Sequence, residues 1–247
     1  SIVVITVAAL TGTLKIGEAI SGFANSAIWL IVGAFLFSRG FIKTGLGKRI
    51  AYNLISAFGS SSLRLAYALA LSDLILAPAT PSNTARVGGV IMPITTSLAK
   101  AFGSEPQDGP RKIGSFLMQS IYQVNTITSA MFQTSMAGNT LVAALALQSF
   151  GIGITWGDWA MAAIVPGIIA LIIMPYFIYK VYPPEIKDAR EAQQMIREEL
   201  KGLGKISFQE WVMLGVFILA LVLWATSQFT KLDATTVAFL GISILLA

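Results

Sequence analysis

The 247 residues include no cysteine and no histidine. Without cysteine there is no disulfide and no thiolate metal site. Without histidine the usual proton relay and the commonest transition-metal ligand are both excluded. Charge is scarce as well: Asp, Glu, Lys and Arg make up 12% of the chain, against roughly 25% in soluble domains. What remains is 55% apolar, with a mean hydropathy of +0.74. This is the composition of an integral, multi-pass membrane protein. The net charge of +5 does not argue for nucleic acid, because positive charge here follows membrane topology. An enzyme is disfavoured, since the spans hold no His, no Cys and no convergent carboxylate pair; Asp73 and Asp158, the acids nearest the polar breaks, lie far apart in sequence.

Apolar runs fall at about 2–13, 26–38, 65–79, 87–99, 113–150, 159–180, 210–229 and 234–247. The third and fourth are short of the ~20 residues needed to cross a bilayer. They flank Pro78-Ala-Thr-Pro-Ser-Asn-Thr-Ala-Arg-Val-Gly-Gly-Val-Ile-Met-Pro93, and together they read as a re-entrant hairpin over 61–102. The fifth is too long for one plain span and is interrupted by Gln133–Thr140. Irregular backbone at membrane depth is tolerated only where it is buried in protein or lines a wet cavity. Charge supplies an independent check. With 39–49 in the cytoplasm and the hairpin re-entering, fourteen of the seventeen Lys and Arg lie inside, Lys15 and Lys231 lie outside, and Arg86 sits in the hairpin, as the positive-inside rule requires. A single crossing at 65–99 would put Lys100, Arg111 and Lys112 opposite Arg39–Arg49.

The organisation expected is scaffold helices and a basic interfacial helix over 1–60, the hairpin over 61–102, and a broken helix with a following span over 111–181. A cytoplasmic amphipathic linker covers 182–206, with a second repeat starting at 207–247. The chain opens at Ser1 straight into Ile2-Val-Val-Ile5 and closes inside Val237–Leu246, so it is expected to be a fragment of a longer transporter.

Ser82, Asn83 and Thr84 bring two hydroxyls, an amide and several backbone groups into three residues. Oxygens of these kinds suit Na⁺, which makes Ser82 and Asn83 candidate ligands for it. The start of the following helix offers free N–H groups and a positive dipole end for a carboxylate. The competing explanation is an ordinary helix cap. Thr134, Ser135, Gly138 and Asn139 are candidates for the same polar site, or small residues that pack helices. Arg86 can face a bound anion, pair with Asp73, or snorkel to the interface. Gly88 and Gly89 suit close helix packing.

Residues 77–89, Ala-Pro-Ala-Thr-Pro-Ser-Asn-Thr-Ala-Arg-Val-Gly-Gly, resemble the first Ser-Asn-Thr motif of the divalent anion/sodium symporter family, in its citrate/succinate antiporter and plastid 2-oxoglutarate/malate translocator branch. Ile28–Gly33, Lys48-Arg-Ile-Ala51, Ala130-Met-Phe132 and Pro183-Pro-Glu-Ile186 extend the resemblance along the chain. It implies an all-α, inverted-repeat elevator transporter, dimeric, in a bacterial inner membrane, moving di- or tricarboxylates with no cofactor other than Na⁺ in the coupled members. It carries substrate or ion binding onto Ser82, Asn83 and Thr84 and onto the break at Thr134–Asn139, with a second such motif in the other repeat. The family break often reads Gly-x-Pro-x-Asn; here only Asn139 is kept. Proline stands at 78, where sodium-coupled members often carry a hydroxyl. Both departures favour exchange over Na⁺ symport. A channel is the rival class, but no ring-forming filter repeat is present.

Overall fold

The computed structural model describes residues 2–247. Among these no strand forms, and the helices follow one another as α1 (Ile2–Leu10), α2 (Ile16–Ala19), α3 (Ser26–Thr44), α4 (Leu46–Phe58), α5 (Ser62–Leu76), α6 (Asn83–Arg86), α7 (Met92–Ala101) and α8 (Gly114–Met131). The remainder are α9 (Ala137–Phe150), α10 (Trp156–Val181), α11 (Arg190–Gly202), α12 (Phe208–Ala225), α13 (Ser227–Thr230) and α14 (Ala234–Leu246). α3, α5 with its 3₁₀ extension to Ala79, α10 and α12 are long and apolar enough to cross a membrane. α10, with 26 residues, reaches about 39 Å and leaves Val165, Ile169, Ile172 and Ile173 more than half exposed.

Local chemistry starts the spans. Asn25, Ser61, Thr155, Ser207 and Asp233 each accept a backbone N–H at a helix N-terminus. Thr155 with Asp158, and Ser207 with Glu210, form reciprocal capping boxes, which satisfy two orphan donors each. Gly45 takes a left-handed φ of 79°, and the chain turns there from α3 into α4.

Two sets of helices pack around these starts. In the first, α3, α12 and α14 approach closely: Gly33 faces Ile242 and Ala238, and Gly241 lies under the Phe37 ring. Phe41 meets Phe217 edge to face at 5.1 Å. In the second, α8 packs on α5, α7 and α10. Gly167 of α10 opens room for Met131, and Tyr67 Oη donates to the Ile172 carbonyl at 2.6 Å. The amphipathic helices α4 and α11 pack on each other, where Gln193 Nε2 (2.8 Å) and Arg197 Nη2 (3.1 Å) donate to the Ser56 carbonyl near the α4 C-terminus, the end that favours cations.

One extended stretch ties the two ends of the hairpin together. Residues 185–189 accept or donate at both. Ser62 N and Ser62 Oγ donate to the carbonyls of Lys187 and Ile186 at 3.0 and 2.5 Å. Glu185 N and Ile186 N donate to the carbonyls of Arg111 and Lys112 at 3.1 and 2.9 Å. The start of α5 and the loop that follows α7 therefore lie at the same end of the bundle.

Several boundaries differ from expectation. The first arm of the hairpin runs 18 residues with its 3₁₀ turn, about 27 Å, so length alone does not forbid a crossing; the bonds to 185–189 bring its ends together. The second arm is a continuous helix from Asn83 to Ala101, with a π-helical turn at Val87–Ile91. The linker is helical only from Arg190. Pro183 and Pro184 supply no N–H, and the following backbone is spent on 60–62 and 111–112. There Arg190 donates to Asp188, and those bonds hold the Asp188 carboxyl below its ordinary pKa.

Candidate functional site

The tip of the hairpin meets the break between α8 and α9. Helix α8 stops at Met131, Phe132 turns extended (φ −129°, ψ 145°), and helix resumes after Met136 (φ −149°, ψ 137°). Two bonds stitch tip to break: Thr134 Oγ1 donates to the Pro78 carbonyl at 2.5 Å, and Ala137 N donates to the Pro81 carbonyl at 3.0 Å. The break also closes on itself. Ser135 Oγ donates to the carbonyls of Ser129 (2.6 Å) and Phe132 (2.7 Å), while Asn139 Nδ2 donates to the same pair at 2.7 and 2.9 Å. These side chains satisfy carbonyls that the end of α8 leaves unpaired. Thr134, Ser135 and Asn139 are buried. Gly138, in the first turn of α9, has space beside it that only the Met136 methyl limits.

The Ser-Asn-Thr tip is more open. Ser82 Oγ accepts from Ala85 N at 3.1 Å, and this is the cap anticipated for a serine at that position. Asn83 is half-buried and Thr84 exposed. Asn83 Oδ1 accepts from Thr84 N at 2.9 Å, and among the described residues its Nδ2 meets no protein acceptor. Unlike Asn139, it contributes little to holding the junction.

Arg86 takes the second of its three placements. It is 1% exposed, and its Nε donates to Asp73 Oδ1 at 2.8 Å. Nη1 donates to the carbonyls of Thr80 (2.9 Å) and Ser135 (3.2 Å), and Nη2 to Thr128 Oγ1 (3.2 Å) and Ser129 Oγ (3.0 Å). All five donors of the guanidinium fork are thus used. Asp73 Oδ2 accepts in turn from Thr128 Oγ1 and Asn125 Nδ2. The charge of Arg86 is offset inside the protein and joins both arms, α8 and the break in one network. The expectation that it faces an anion, or snorkels to the interface, does not describe this geometry.

Neither of two cavities in the bundle is lined by Ser82, Asn83 or Thr84; the first lies towards the base of the hairpin, and the second reaches the break at Gln133. One of about 920 Å³ lies between α7, α8 and the end of α10, where Met92, Thr96, Lys100, Gln119, Gln123 and Tyr182 reach it. The other, about 810 Å³, lies between the starts of α3, α10 and α14, and takes in Gln133, Thr140, Trp156, Asp158, Ser227 and Lys231. Among the described residues no group of three or more His, Cys, Asp or Glu side chains can hold a metal.

Sequence reasoning singled out both polar breaks and missed what fastens them. Asn125, Thr128 and Ser129 recur at helical spacing on one face of α8, a signal that was legible. Trp156, whose Nε1 donates to Thr134 Oγ1 at 2.9 Å, sits 22 residues away beyond α9 and a loop, and nothing local marks it.

Comparison with known proteins places this arrangement. The chain is 53% identical to the putative malate transporter YflS of Bacillus subtilis over all of its own 247 residues and 52% of that protein. It is 47% identical to dicarboxylate transporter 1 of Spinacia oleracea chloroplasts, over 96% of the chain and 42% of the relative. With the citrate/succinate antiporter of Escherichia coli it shares 38% identity, over 92% of the chain and 47% of the relative. The chain spans about half the length of these relatives. The sodium:sulfate symporter transmembrane region matches residues 1–247 throughout. The chain therefore belongs to the sodium:sulfate symporter family, in keeping with the resemblance carried by residues 77–89.

Proposed function

We propose that the chain forms part of a secondary transporter of di- and tricarboxylate anions, of the malate, succinate and citrate class for which its relatives are named, in a bacterial inner membrane. The observation that carries this reading is the junction itself: a half-buried amide and an exposed hydroxyl, Asn83 and Thr84, presented at a hairpin tip that is bonded to a helix break. Discontinuous helices of this kind are how secondary transporters build binding sites at mid-membrane. The hairpin with α8–α10 is the moving unit of an elevator in this reading, and α3, α12 and α14 belong to its dimeric scaffold. The close packing of α3, α12 and α14 on one another, and of α8 on α5, α7 and α10, supports that division.

Exchange is the favoured mode. A Na⁺ site needs several free oxygens. Here the carbonyls of Ser129 and Phe132 each accept from both Ser135 Oγ and Asn139 Nδ2, and Pro78 offers no side-chain hydroxyl. The test is transport in proteoliposomes. Labelled dicarboxylate is expected to enter only vesicles loaded with a counter-dicarboxylate, with no uptake driven by a Na⁺ gradient alone. Uptake into empty vesicles that rises steeply with external Na⁺ would make the protein a symporter instead.

A further inference from the structure

Trp156 is the first residue of α10, and the Thr155–Asp158 capping box fixes where it stands. It is 6% exposed. Its indole N–H donates to Thr134 Oγ1 at 2.9 Å, and Thr134 Oγ1 donates to the Pro78 carbonyl at 2.5 Å. The direction of this relay is forced. An indole nitrogen only donates, and a threonine hydroxyl has one proton to give. With the indole proton on its lone pair, Thr134 must spend its own proton on the hairpin.

The same ring stacks on two others. It stacks on Phe132, where α8 ends, with centroids 5.6 Å apart and planes 16° apart. It also stacks on Trp224 of α12, at 6.0 Å and 17°. Trp224 is fully buried, and its own N–H donates to the Ala234 carbonyl at the start of α14 at 3.2 Å. One side chain therefore touches the break, controls a bond to the hairpin tip, and lies flat against the other helix set.

We propose that Trp156 is a positioning residue for the hairpin–break junction, acting through Thr134, and that its stack on Trp224 ties the geometry of that junction to the position of α12. It touches no substrate in this account. Its effect on substrate rests on the transport reading above, but the bond relay and its coupling to α12 do not.

These 247 residues have no cysteine, so with any cysteine outside them replaced, a single introduced thiol reports alone. Ala79 lies at the end of the first arm and is fully buried, so Ala79→Cys in the membrane-inserted protein reacts with a maleimide only when the tip lifts off the break. Trp156→Phe keeps an aromatic ring for stacking but removes the N–H, and Thr134→Val removes the hydroxyl. Each is expected to raise the labelling rate about fivefold, the scale of one lost hydrogen bond. Because both cut the same relay, the double variant is expected to label no faster than either single one. Thr134→Ser restores the hydroxyl and is expected to return the rate to the parent value. Trp224→Leu leaves the relay intact and removes the stack, and it too is expected to speed labelling. Rates that add in the Trp156→Phe, Thr134→Val double variant, or no change in any variant, would overturn the relay; an unchanged rate in Trp224→Leu would overturn its link to α12. Should Trp156→Phe fail to fold, Thr134→Val against Thr134→Ser decides the hydroxyl's part and Trp224→Leu decides the link. In proteoliposomes the two relay variants are expected to raise the KM for a dicarboxylate about fivefold while Vmax stays within about twofold. If the parent protein carries no carboxylate at all, the transport reading falls and the labelling result still stands.

Discussion

Two polar side chains three residues apart, Asn83 and Arg86, have opposite duties. Arg86 is spent within the protein. Asp73→Asn removes its counter-charge and leaves a guanidinium buried and unpaired, a change that costs on the order of 3–5 kcal/mol. A marked fall in the detergent unfolding temperature is expected, with part of it recovered when Arg86→Gln is added. Arg86→Lys is expected to be nearly as damaging, because an ammonium cannot bridge Asp73, two carbonyls and two hydroxyls from one plane. Asn83 makes only the bond to its neighbour's N–H. Asn83→Ala is therefore expected to leave unfolding within about 0.5 kcal/mol of the parent, as surface substitutions do, and to abolish carboxylate uptake. Normal uptake by Asn83→Ala and Thr84→Ala alike would reduce the Ser-Asn-Thr tip to a cap.

Among the elements, what could be read in the sequence was what local pattern dictates. Small polar residues inside an apolar run pointed to a break at Thr134–Asn139, which the structure places at 132–136, and Pro-Ser-Asn-Thr between two apolar runs pointed to the hairpin tip. Asp73 was legible as a partner for Arg86 because it is the one acid in the same hairpin, although only geometry could choose among the three placements. Contacts between remote segments were not legible. Arg49 shows why: its Nε and Nη2 donate to Glu210, at 2.6 and 3.1 Å, across 161 positions, and Nη1 donates to the Gly204 carbonyl at 3.0 Å. No spacing rule links a basic residue on the amphipathic helix α4 to the capping acid of a later span. This fork joins α4 to the end of the linker and the start of α12. Arg49→Ala is expected to lower the unfolding temperature clearly more than Lys48→Ala, whose ion pair with Glu199 at 3.9 Å is exposed on both sides and contributes about 0–1 kcal/mol. Equal effects of the two would deny Arg49 its role as a joint.

For the whole molecule, the decisive arrangement is which ends share a face of the membrane. Residues 185–189 bond both to Ser60–Ser62 and to Arg111–Lys112, so both ends of the hairpin lie at the end of the bundle where the linker lies, the placement expected of a re-entrant hairpin. α12 then carries the chain from that end to the other, placing Phe229 opposite. Lysine and arginine agree, being gathered at 39–64, 100–112 and 180–205, as expected of a cytoplasmic face. Arg64, Gln107 and Phe229 are exposed. In an otherwise cysteine-free chain, Arg64→Cys and Gln107→Cys are expected to react with an impermeant maleimide in inside-out vesicles only, and Phe229→Cys in intact cells only. If Gln107→Cys labels from the same side as Phe229→Cys, the segment 62–101 crosses the membrane. The hairpin tip would then not be re-entrant, and the carboxylate site built on it would lose its foundation.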